Sequence, residues 1–212
     1  MLRFLLNLLF PPSARVAEVE QMSAAAFRDA VPPLSFQPRE WALPLFPYEN
    51  PLVKTAVWEV KYRGNTYIAR LMGELLANEL AEWLIELSET ENFRAPLIVP
   101  IPLAPKRRAE RGLNQCELLA REMMRELQGL AELNALALIK VKETESQTKS
   151  KNRDARIKNL EDCFVVKNPA EIKGRNIVLL DDVTTTGATL AEARRTLLAR
   201  GARKVIAITF AH

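Results

Sequence analysis

One stretch constrains this chain more than any other: residues 177–189, which read IVLLDDVTTTGAT. The unbroken apolar run from Ile177 to Leu180 is the pattern of a parallel strand buried on both faces, since an antiparallel strand with one wet face would alternate. A helical pattern follows through Arg200, Gly201 supplies a helix C-terminus, and a second apolar strand is predicted over residues 204–210. Strand, helix and strand at these lengths make a βαβ unit with a right-handed crossover. The fold class is therefore α/β, a mainly parallel sheet flanked by helices.

The same stretch carries chemistry. Its strand delivers two adjacent carboxylates, Asp181 and Asp182, to the carboxyl edge of the sheet, where open α/β proteins bind ligands. A short turn then offers hydroxyls and backbone amides from Thr184, Thr185, Thr186, Gly187, Ala188 and Thr189 at the start of a helix, whose positive end favours an anion. Carboxylates accept hydrogen bonds from sugar hydroxyls, and a cup of amides and hydroxyls suits a phosphate. A ribose 5-phosphate has those two features one sugar ring apart. The rival readings explain less. A P-loop ATPase would need GxxxxGK[ST], which the chain lacks. A DxD phosphotransferase strand would need an acid where Val183 stands, and a plain N-cap explains one or two residues of the series.

Residues 177–189 resemble the phosphoribosyl-pyrophosphate (PRPP) signature of the type I phosphoribosyltransferases. That resemblance implies that Asp181 and Asp182 hold the ribose 2- and 3-hydroxyls, directly or through Mg²⁺, while residues 184–189 wrap the 5-phosphate. Three upstream blocks narrow the family: Lys61-Tyr62-Arg63-Gly64, the run VPIPLAPKRRAERGLNQ over residues 99–115, and Gln147 followed by Arg156, Asn159 and Phe164. In this order they resemble the competence protein F (ComF) family from about Pro47 onward. The family implies a role in DNA uptake, with single-stranded DNA and a helicase-like ATPase as partners. It also commonly opens on cysteine pairs that form a zinc finger. Here residues 8–12 read LLFPP but residues 13–21 hold no cysteine. Zinc needs about four N or S ligands, so the finger is lost and no zinc is expected.

The basic residues between the blocks suit pyrophosphate. Lys106, Arg107, Arg108 and Arg111 are expected in a loop beyond a strand, where arginine forks match phosphate oxygens in pairs. Gly112 permits close backbone approach, and Asn114 and Gln115 either cap the next helix or reach the ligand. Lys61 is either a ligand to the same site or surface charge at a helix end. Arg156 belongs to a second basic stretch that is either a lid or a solvated loop. Aromatic residues are sparse among these basic segments, so no base-stacking platform is evident.

Elsewhere the pattern predicts a long helix over residues 68–87, a strand over 96–102, a helix starting near Asn114 and a strand over 136–141. Residues 11–50 are dotted with prolines and read as irregular, giving an N-terminal appendage over 1–46 and a phosphoribosyltransferase-like domain over 47–212. The opening MLRFLLNLLF imitates a signal peptide, but Pro11-Pro12 ends it early and it is too short to span a bilayer. It reads instead as an amphipathic or docking helix. Two isolated cysteines, Cys116 and Cys163, exclude a disulfide framework and suit a reducing cytoplasm. A net charge of +4 admits anionic ligands without requiring them. The lone histidine, His212, is read as a bystander.

Overall fold

The computed structural model describes residues 14–34, 40–142 and 162–212. Its main sheet has five strands in the order β1-β7-β6-β2-β3, all parallel. They are β1 (Ala42–Phe46), β2 (Leu97–Pro100), β3 (Glu132–Leu133), β6 (Asn176–Val183) and β7 (Lys204–Ala211). A separate antiparallel ribbon joins β4 (Leu138–Lys140) to β5 (Phe164–Val166), so the strand expected over 136–141 leaves the parallel sheet.

Side chains alternate across the sheet as its pleat demands. Ile98, Val178, Leu180, Ile206, Ile208 and Phe210 face one core, while Val99, Ile177, Leu179, Val205 and Ala207 face the other. The first core is closed by α4 (Thr66–Thr90) and α6 (Gln115–Glu126), through residues such as Met72, Leu76, Leu119 and Met123. The second is closed by α8 (Ala188–Ala199), through Leu190, Ala193 and Leu197. The helix expected over residues 68–87 is α4, which begins two residues earlier at an Asn65 cap, and the helix expected to start near Asn114 is α6, which Asn114 caps.

The irregular stretch expected over residues 11–50 contains ordered elements among the described residues. Helices α1 (Ala14–Gln21) and α2 (Ala24–Ala30) lie on the first core, and β1 is an edge strand paired to β7. Pro44 is tolerated because an edge strand has only one hydrogen-bonded side. Phe27 of α2 meets Phe46 and Phe210 with ring centroids 5.4 and 6.0 Å away, a three-ring cluster that joins α2 to β1 and β7. The boundary drawn at 46/47 thus falls at the end of a sheet strand.

Between β1 and α4, α3 (Pro51–Trp58) runs into one π turn, Glu59–Arg63, which stops at Gly64 in the left-handed region, φ 59°. The seven-residue α5 (Pro105–Arg111) and the short α7 (Pro169–Ile172) complete the elements. No helix among the described residues is long and apolar enough to cross a membrane.

Candidate functional site

Connections out of β2 and β6 run in opposite directions. From β2 the chain passes through α6 to β3, on one side, and from β6 through α8 to β7, on the other. The neighbouring ends of β2 and β6 therefore form a topological switch point, the crevice where open α/β sheets bind ligands. Asp181 and Asp182 stand at the end of β6. From the β2 side, Asn114 donates to the Ile101 carbonyl at 3.1 Å and accepts from the Cys116 amide at 3.0 Å, fixing the start of α6 against the crevice.

The two carboxylates have different settings. Asp181 Oδ1 accepts from the Asp182 amide at 2.9 Å and from the Cys116 thiol at 3.3 Å. Asp182 is buried; its Oδ1 accepts from the Val183 amide at 2.9 Å, and its Oδ2 has no hydrogen-bond partner. The nearest cation to that bare oxygen is Lys61 Nζ, 3.5 Å away. One ligand atom each from Cys116, Asp181 and Asp182 lie within 4.8 Å of one another. Two hard carboxylates with a bare buried oxygen suit Mg²⁺, which takes oxygen ligands; the thiol does not.

These contacts shift three protonation equilibria. Withdrawal from water, then the charge of Asp182, raises Asp181 from 3.8 to about 8. Burial, then the charge of Asp181, pushes the Cys116 thiol well above its ordinary range, so it stays protonated as a donor. Asp182 chiefly raises Lys61, which stays charged. Because folded Asp181 holds its proton more tightly than unfolded Asp181, the associated stability is complete below about pH 4 and is lost as pH rises toward about 8. Asp181→Asn, which keeps the acceptor oxygen without the charge, is expected to melt above wild type in metal-free buffer. The gap should widen by several degrees between pH 4 and 8. Melting curves with a pH-independent gap would contradict this assignment.

Downstream, the turn is partly committed to the fold. Thr184 is buried and its amide donates to the Ala211 carbonyl at 2.9 Å, so that amide belongs to the sheet rather than to a phosphate. Gly187, φ 71°, is the N-cap of α8 and supplies no side chain to its first turn. By contrast α2, α3, α4, α6 and α7 are capped by Ser23, Asn50, Asn65, Asn114 and Asn168. The first turn of α8 is left with amides for an anion. Thr185, Thr186, Gly187, Ala188 and Thr189 are all at least partly exposed there, with a long 3.4 Å bond from the Ala188 amide to Thr186 Oγ1.

Other expected residues divide. Lys61 joins the site through Asp182 rather than standing as surface charge. Asn114 is a buried cap; Gln115 is buried with its Oε1 unpartnered. The basic loop is instead the helix α5, none of whose residues is buried, which explains why apolar periodicity did not reveal it. Gly112 is its left-handed C-cap, φ 69°, donating to the Arg108 carbonyl. Arg108 is tied to Glu117 at 3.0 Å, and Arg111 lies over the Tyr62 ring. Arg156, with Gln147 and Asn159, lies outside the described residues. Cys116 was missed as a site residue, because nothing in the sequence pairs it with Asp181.

A parallel sheet with paired acids at its switch point and an uncapped helix start beside them fits a phosphoribosyltransferase-type domain. Residues 72–212 match the family model of the phosphoribosyl transferase domain, and the chain belongs to that family. Its curated relatives include the DNA utilization protein YhgH of Escherichia coli (strain K12), 31% identical over 156 residues, with 73% of this chain and 65% of that protein covered. Competence protein ComFC of Bacillus subtilis (strain 168) is 31% identical, covering 72% of this chain and 56% of that one. Competence protein F of Haemophilus influenzae is 30% identical, covering 74% and 66%. These names agree with the resemblance carried by the KYRG, VPIP and RGLNQ blocks. The chain spans under two thirds of the length of these relatives.

Proposed function

We propose that this chain binds PRPP with Mg²⁺ at the β2–β6 crevice and transfers its phosphoribosyl group to an acceptor, releasing pyrophosphate. The observation that supports this most is the adjacency of the Asp181–Asp182 pair, with one bare buried oxygen, to the uncapped, glycine-started helix α8. In this reading the two carboxylates accept from the ribose hydroxyls, and the first turn of α8, with Thr185 to Thr189, holds the 5-phosphate. The bond from the ribose C1 to pyrophosphate breaks as the acceptor bonds to C1, through an oxocarbenium-like state. The residues contribute chiefly by fixing both ends of the sugar and by meeting the leaving group's charge. Lys61, already beside Asp182, and the cations of α5 supply positive charge on the pyrophosphate side. Mg²⁺ would neutralise further charge on the leaving group.

The relatives' names, competence and DNA utilization, extend the proposal to DNA uptake, and the resemblance to the ComF family adds single-stranded DNA and a helicase-like ATPase as partners in a reducing cytoplasm, with no zinc expected from the cysteine-free residues 13–21. Calorimetry is expected to show PRPP binding that weakens when Mg²⁺ is chelated. Absence of binding heat with and without Mg²⁺ would end the proposal. Pyrophosphate release in a screen of bases, nucleosides and amines separates a transferase from a module that only binds.

A further inference from the structure

The π turn does two things at once. It sends Lys61 to Asp182, and it leaves Trp58 and Tyr62 exposed, 48% and 57% of their surfaces. Their ring centroids are 5.4 Å apart at 46°. Arginines continue the row at both ends: the Arg63 guanidinium lies 5.2 Å from the Trp58 centroid, and that of Arg111 lies 5.1 Å from the Tyr62 centroid. The buried Glu59 holds Arg63 in place at 3.3 Å, whereas Arg111 pairs with no carboxylate among the described residues. At the Arg111 end the row runs onto α5, whose PKRRAER sequence is strongly basic. Exposed rings of this size contribute little to the core, and burying them against a partner would be favourable.

We infer that Arg63, Trp58, Tyr62 and Arg111 form a stacking platform for the bases of a single-stranded polynucleotide at the rim of the crevice. Rings bind any base through its π face, and guanidinium planes stack likewise. A base that enters the row displaces a guanidinium from its ring, and the freed cation turns to the adjoining phosphate. Two rings flanked by two cations match successive nucleotides, each an aromatic plane joined to an anion. A duplex offers no such planes, because its bases stack on one another. Basic segments alone did not suggest this platform, because the rings come from the α3 turn and one of the cations from α5. The inference rests on the single-stranded DNA partner of the proposed function, but not on its phosphoribosyl chemistry.

The test is fluorescence anisotropy of a labelled oligothymidine with the full chain. Single strands are expected to bind more tightly than a duplex of equal length. Trp58→Ala and Tyr62→Ala should each weaken single-strand binding by about tenfold, in line with the loss of one stacked base, whereas Tyr62→Phe should retain it. Arg111→Ala should weaken binding and also flatten its salt dependence. Melting temperatures of these variants should stay near wild type, since the rings are exposed. Asp182→Asn should lose PRPP binding and keep the oligonucleotide, which separates failure of this inference from failure of the proposed function. Equal affinity for duplex and single strand, or binding unaffected by loss of both rings in folded protein, would overturn the platform.

Discussion

Gly187→Val is expected to abolish measurable binding of ribose 5-phosphate while leaving a folded protein, and Asp182→Asn to weaken it less. The glycine sits at φ 71° at the N-cap of α8, where a β-branched residue is strained by about 1–2 kcal/mol. Valine would either hold that angle under strain or pull the turn away from the phosphate. Each charged hydrogen bond lost to the ligand costs about 1.5–3 kcal/mol, roughly one to two decades of affinity. The strain itself should lower the melting temperature by a few degrees. Asp182→Asn acts at the opposite end of the sugar. It removes the charge that faces Lys61 and would face Mg²⁺, so its loss should be largest for PRPP in Mg²⁺ and small for ribose 5-phosphate alone. Titration of both ligands into both variants checks the pattern. Wild-type affinity for PRPP in the two folded variants would place the pocket elsewhere.

Phe27→Ala should give the largest stability loss, about 3–5 kcal/mol, because a fully buried ring would leave a cavity between Phe46 and Phe210. For a chain of this size that lowers the melting temperature by roughly 10 °C. The exposed Arg15→Ala in the neighbouring helix should change it by less than about 1 °C. A loose appendage would predict little effect from either change. Thermal denaturation of the two variants therefore decides whether residues 14–31 are part of the cooperative unit.

Elements that carry their own pattern are legible in the sequence alone. The apolar run of β6, the long stripe of α4 and the proline-bounded β2 each declare themselves within a few residues. So did the paired acids and Gly187, because their chemistry is contiguous. Three kinds of feature were not. The helices α1 and α2, of eight and seven residues, are too short to show a period, and β1 hides behind Pro44. The helix α5 buries nothing, so no apolar spacing marks it. Contacts between distant segments leave no local trace: Cys116 meets Asp181 only once α6 docks on β6, and Lys61 with Asp182 and Arg111 with Tyr62 also involve a π turn that shifts the helical phase.

The placement of β7 also orders the assembly of the chain in time. β1 is made early but has one neighbour in the sheet, β7, which pairs Ala42 with Ala207 across most of the length of the chain. During synthesis on the ribosome β1 has nowhere to dock until residues 204–211 have emerged. The same late segment supplies Phe210 to the ring cluster and the Ala211 carbonyl that seats Thr184. A nascent chain stopped short of it would hold an unfinished turn beside Asp182 and an apolar β6 edge open to other strands. Such an edge is the kind on which incomplete α/β proteins aggregate, so β7, made after the other four strands of the sheet, is also the one that closes it.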